Sequence, residues 1–155
     1  MMRLCELDRK VLLECCGSAR WVDGLLARRP FETEDELFLA AREIWWNVEE
    51  SDWLEAFSKH PQIGARQTIS AWSSQEQAGM NHASASTTDA IEALNHEYLE
   101  KFGWIFIVCA TGKSADEMRA AIEKRLGNGP YDEIRIAAGE QAKIMQIRLR
   151  RLLEA

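Results

Sequence analysis

No stretch of this 155-residue sequence holds the roughly 18–20 successive apolar residues that a membrane span requires, so no membrane-crossing helix is expected. Basic residues are short as well: 19 Lys and Arg against 25 Asp and Glu leave a net charge of −6. Phosphate backbones are bound by basic faces, which excludes nucleic acid as the main partner. Histidine is limited to His60, His82 and His96, with no His-x-x-x-His spacing. The cysteines are Cys5, Cys15, Cys16 and Cys109; no Cys-x-x-Cys pair occurs, and adjacent Cys15-Cys16 suits neither a metal nor a disulfide. No metal site is therefore expected. The thiols read as reduced side chains in or near a core. Repeats and linkers are missing too, so residues 1–155 read as one domain. The opening Met1-Met2-Arg3-Leu4-Cys5-Glu6 meets charges too early for a signal peptide, which makes the cytoplasm the expected location.

What remains is a soluble, globular composition, 46% apolar and 28% charged, organised by helix-start signals. Ser18 precedes apolar residues Trp21, Val22, Leu25 and Leu26 at helical spacing. Thr33 with Glu36 is a capping box opening a helix through Leu37, Ile44 and Trp45. Asp52 is expected to start a short helix over Trp53 to Phe57, ending at His60-Pro61, because proline forces the residue before it away from helix. Ser73-x-x-Glu76 and Ser114-x-x-Glu117 are two more capping boxes. A helix is predicted from near Ser86 to Lys101, and a long one from about Asp132 to Leu153, after the stop Gly127-Asn128-Gly129-Pro130. Trp104–Cys109 alone looks strand-like, and no second β-rich run exists to pair with it. The fold expected is all-α, a single multi-helix domain with a buried extended connector near 104–110.

Three places break the amphipathic pattern. An imidazole at His60 titrates near neutrality and can exchange protons at cellular pH. Pro61 fixes the backbone behind it and Gly64 permits a sharp turn; equally, Lys59 and His60 suit the negative end of a helix dipole. The segment Ser73-Ser74-Gln75-Glu76-Gln77 reads as a cap, and a helix N-terminus also holds small anions. Arg148, projected at about 100° per residue, falls on the apolar arc of the last helix with Ile144, Met145 and Leu152. A guanidinium there either snorkels to water or meets an anion. Gly112-Lys113-Ser114 resembles the end of a phosphate-binding loop, but Ile107 stands where that loop requires a glycine. The tryptophans, Trp45-Trp46 among them, suit packing better than a ligand platform.

Taken in order, these segments resemble one family. His60-Pro61-x-Ile63-Gly64 is followed by Ser73-x-x-Glu76-Gln77-x-Gly79, then by Phe102-Gly103-Trp104-x-Phe106-Ile107-Val108-Cys109-Ala110-Thr111-Gly112-Lys113-Ser114. Glu140-Gln141-x-Lys143-Ile144 with Arg148-Leu149 completes a pattern similar to the OHCU decarboxylases, most like their bacterial branch. The resemblance implies an all-helical fold and a cofactor-independent carboxy-lyase. It implies as substrate 2-oxo-4-hydroxy-4-carboxy-5-ureidoimidazoline (OHCU), as product (S)-allantoin, and as setting the last step of urate oxidation. It implies His60 as proton donor, a substrate contact at Glu76 and an arginine that matches Arg148, and these three form the expected catalytic set; since a guanidinium pressed against the carboxylate would hold back CO2 loss, Arg148 is expected to position Glu76. Substrate contacts carry over to Pro61, Ser73 and Gln77 and to Phe106, Ile107, Val108, Cys109 and Ala110. A homodimer is also implied. Two other readings stay open from the residues alone: a related helical decarboxylase or lyase acting on another ureido or hydroxy acid, and a non-catalytic helical interaction module.

Overall fold

The first three α-helices each begin at a side chain that accepts from a bare N–H group of the first turn. The computed structural model describes residues 3–61, 78–82 and 84–154. Asp8 accepts from the Val11 N–H at 3.0 Å and opens α1 (Arg9–Cys15). Ser18 does the same for Trp21 at 3.2 Å, at the head of α2 (Ala19–Ala27). Thr33 accepts from the Glu36 N–H at 3.2 Å and opens α3 (Glu34–Asn47). That predicted box is only half formed, because the Glu36 carboxylate accepts from the Glu32 N–H at 2.9 Å, one residue ahead of the cap. Helix α4 (Glu50–Phe57) starts earlier than Asp52. Asp52 is instead the third helical residue and accepts from the Glu49 N–H at 3.0 Å, closing a box on that cap.

These four helices belong to one compact unit, Met1–Lys59 with Gln141–Ala155; His60–Glu140 forms a second. In the first unit Trp21, Trp45, Phe57, Leu12, Leu25 and Leu37 are fully buried. Burying a large apolar side chain contributes about 1.5–3 kcal/mol. Buried indole N–H groups need acceptors: Trp21 Nε1 donates to Ala41 O and Trp53 Nε1 to Trp45 O, each at 2.9 Å. Cys15 and Cys16 are buried in this unit, while Cys5 is exposed.

The second unit holds a 3-10 turn (Ala78–His82), α5 (Ala85–Phe102), α6 (Ala115–Arg125) and the first part of α7 (Pro130–Glu154). Ser84 caps α5 by accepting from Thr87 N–H at 3.2 Å, two residues before the predicted Ser86. Gly103, at φ 84°, ends α5 in the left-handed conformation open to a residue without Cβ. The Ser114/Glu117 box is complete, with bonds of 3.1 and 3.3 Å. Helix α7 starts at Pro130 rather than Asp132 because a first-turn residue needs no N–H donor, so proline serves at that position. Residues 105–110 are neither helix nor strand, and Phe106–Ala110 are buried, as expected of a connector. Phe106, Val108 and Ala110 share a core with Ile91 and Tyr98 of α5 and Met118 and Ile122 of α6. Among the described residues there is no strand, and the all-α expectation holds. No described helix is long and apolar enough to cross a membrane.

Candidate active site

Helix α4 closes with Ser58, whose N–H reaches Leu54 O at 3.1 Å and whose hydroxyl donates to Glu55 O at 2.6 Å. His60 and Pro61 follow outside any helix, both partly buried, at the start of the second unit. Ser73, Glu76 and Gln77 lie outside the described residues, as do Gly64 and the predicted Ser73/Glu76 box. The chain becomes described again at Ala78, in a place that tolerates only glycine one residue later. A Cβ on Gly79 would lie 2.1 Å from the Lys113 carbonyl oxygen. The segment directly after Gln77 is thus seated on the turn closing the connector, where Lys113 N–H donates to Ala110 O at 3.0 Å.

The connector itself is held through its backbone. Glu140 Oε1 accepts from the Cys109 N–H at 3.2 Å. Arg125 Nη1 donates to Ile107 O at 2.6 Å, and its guanidinium lies over the Phe106 ring at 4.3 Å. The remaining donors of Arg125 close on Glu133 Oε2, Nε at 2.8 Å and Nη2 at 2.5 Å. Tyr98 OH donates to the same oxygen at 2.5 Å and accepts from Trp104 Nε1 at 3.1 Å. Asn128 Nδ2 donates to Glu133 Oε1 at 3.1 Å. Glu133 is fully buried and Arg125 nearly so, and a charge in that position requires this degree of pairing. Burial, then the hydrogen bond to Glu133, pushes the Tyr98 hydroxyl above the ordinary tyrosine range.

Sequence reasoning missed this buried cluster. Its members sit at helix ends, where a basic last turn and an acidic first turn are read as dipole partners on the surface. The only signal was Tyr98 itself, a polar-tipped ring on an apolar face.

Arg148 lies in the first unit, 9% exposed, and donates to the Glu14 carbonyl at 3.1 Å. It meets protein rather than snorkelling fully to water. His60, Pro61 and Phe106–Ala110 belong to the second unit, and Arg148 belongs to the first. Among the described residues no group of three or more His, Cys, Asp or Glu side chains could hold a metal ion.

The family model for OHCU decarboxylase matches residues 6–150. The chain is 38% identical over 150 residues to the uric acid degradation bifunctional protein TTL of Arabidopsis thaliana, covering 89% of this chain and 45% of that one. It therefore spans less than half the length of that plant relative. It is 30% identical over 132 residues to a 2-oxo-4-hydroxy-4-carboxy-5-ureidoimidazoline decarboxylase of Haloferax volcanii, covering 83% of this chain and 79% of that one. Its structure resembles a crystal structure of OHCU decarboxylase in the presence of (S)-allantoin, with TM-score 0.86 and 37% identity, covering 96% of this chain and all of that one. It shares a fold with a crystal structure of (S)-allantoin synthase, with TM-score 0.75 and 19% identity, covering 97% of this chain and 51% of that one.

Proposed function

Because the chain belongs to the OHCU decarboxylase family, matching its model over residues 6–150, we propose that it converts OHCU to (S)-allantoin and carbon dioxide without a cofactor. One observation carries this reading: the family model matches residues 6–150, a span that runs across both His60 and Arg148. We propose further that the two units act as one family domain, in the cytoplasm and as a homodimer. The family pattern supports the last point, as do exposed apolar side chains such as Leu39 and Trp46 on α3.

The substrate carries a carboxylate and a hydroxyl on one ring carbon, beside a C=N bond. When the carbon–carboxylate bond breaks, its electron pair runs through the ring carbon toward the imine nitrogen, which takes up a proton to become N–H, and CO2 departs. The ring is its own electron sink. An enol-like intermediate remains. Protonation of the adjacent carbon, with loss of the enol O–H proton, gives allantoin. In this proposal His60 delivers that proton to one face and so sets the S configuration. Pro61 holds the backbone behind it. Glu76 orients His60 or binds the substrate hydroxyl, while Ser73 and Gln77 hold the ring and ureido group through neutral hydrogen bonds. Phe106, Ile107, Val108, Cys109 and Ala110 line the site with backbone groups on an apolar wall. Arg148 enters as a positioning residue, supported by its burial and its place in the family pattern.

The test generates OHCU in place from urate with urate oxidase and hydroxyisourate hydrolase, then follows the circular dichroism of (S)-allantoin. The protein should accelerate the signal over spontaneous decay, and His60→Asn should lose about 10²–10⁴-fold in turnover while keeping its helical spectrum. A folded His60→Asn protein with near-native turnover would remove His60 from this role.

A further inference from the structure

The buried pair Arg125–Glu133 is an odd way to stabilise an apolar core. Replacing a buried ion pair with apolar side chains is often neutral or stabilising, because desolvation offsets the attraction. What such a pair supplies is fixed geometry, and here the geometry points at one segment. Arg125 keeps Nη1 for Ile107 O at 2.6 Å and lays its plane over Phe106 at 4.3 Å. Glu133 in turn fixes Arg125 through Nε and Nη2, and fixes Tyr98, whose hydroxyl accepts from Trp104 at the head of the connector. Trp104, Phe106 and Ile107 are thereby tied to a single carboxylate. Glu140 holds the far side at the Cys109 N–H, 3.2 Å away.

Resting on the proposed decarboxylase function, we infer that Arg125 and Glu133 are positioning residues that set the backbone of the connector for substrate recognition. Neither touches the reacting atoms. A guanidinium does this where an ammonium could not, since it donates to Glu133 along one edge and to a carbonyl from another nitrogen. Backbone contacts made to the ring before and during CO2 loss bind ground state and transition state alike. Their loss raises KM and leaves kcat nearly unchanged.

The experiment compares KM and kcat in the coupled circular-dichroism assay for the parent protein and for the double variant Arg125→Met/Glu133→Gln. This variant removes both buried charges and leaves an amide oxygen to accept from Tyr98. The inference expects a folded variant whose KM rises by at least about fivefold while kcat stays within about threefold of the parent. A merely structural role would lower thermal stability without moving KM, and a smaller KM change in the folded variant overturns the inference. Should the double variant fail to fold, Arg125→Lys, which keeps the charge beside Glu133, is read against the same threshold. If the parent itself fails to accelerate allantoin formation, the decarboxylase reading falls and this inference with it. If the parent works and KM holds in the variant, only the positioning role falls.

Discussion

Cys16 is fully buried, and that burial pushes its thiol far above the ordinary cysteine range. A thiol attacks as thiolate, so this cysteine should be inert in the native protein. Cys15 and Cys109 are buried as well, and Cys5 alone is exposed. Titration with a disulfide reagent under native conditions should therefore consume about one thiol per chain promptly, the rest reacting only on unfolding. Prompt reaction of all of them would contradict the burial. This much was legible beforehand, because a cysteine outside any paired spacing is by default a small buried hydrophobe. The Arg125–Glu133 pair was not legible. The two residues lie on different helices, separated by the Gly127–Pro130 break, and no local period relates positions on either side of a turn. His60 lies between these cases: its chemistry could be read from the residue type, but assigning it a role beyond ending a helix rests on the ordered family pattern around it.

At the scale of elements, the helices were legible wherever a side chain performs the capping locally. Ser18 and Ser114 hold the N–H groups that their spacing assigned to them. Boundaries slipped where two groups compete for one role, as with Asp52, which serves the Glu49 cap rather than acting as one. They slipped again at Pro130, which reads as a stop yet starts α7. The seating of Ala78–His82 could not be read at all, since the atom that excludes a side chain from Gly79 belongs to Lys113, far along the chain. Gly79→Ala would drive its new methyl to within 2.1 Å of a backbone oxygen, which cannot swing aside as a flexible side chain could. Forced overpacking of this kind costs about 1–3 kcal/mol. Gly127→Ala is the control, because its Cβ would meet nothing nearer than 3.4 Å, an ordinary contact. Urea unfolding should show a lower midpoint for Gly79→Ala, with Gly127→Ala within about 0.5 kcal/mol of the parent. Equal midpoints would mean that the turn shifts without penalty. If the segment ending at Gln77 belongs to the site, Gly79→Ala should also weaken turnover in the protein that remains folded.

For the molecule as a whole, burial favours the neutral form of Cys16 in the first unit and of Tyr98 in the second. Burial raises both above their ordinary values, which are about 8.5 for a cysteine and about 10 for a tyrosine. In the unfolded chain each loses its proton near that ordinary value, while the folded chain keeps it. Above that pH the unfolded state binds fewer protons than the native state, so stability falls as pH rises. The contribution is fully present below about pH 8.5 and declines beyond it, by at most about 1.4 kcal/mol per pH unit for each group. Denaturant midpoints measured from pH 7 to 11 should therefore stay level and then drop, with a second steepening near pH 10. Tyr98→Phe removes the hydroxyl that titrates at the upper step. It should lower stability at pH 7, because Glu133 loses a donor and Trp104 an acceptor, yet flatten the decline above pH 10. A variant that keeps the parent's full slope above pH 10 would show that the alkaline loss arises elsewhere. A flattened slope would locate it at the hydroxyl that Glu133 holds beneath the connector.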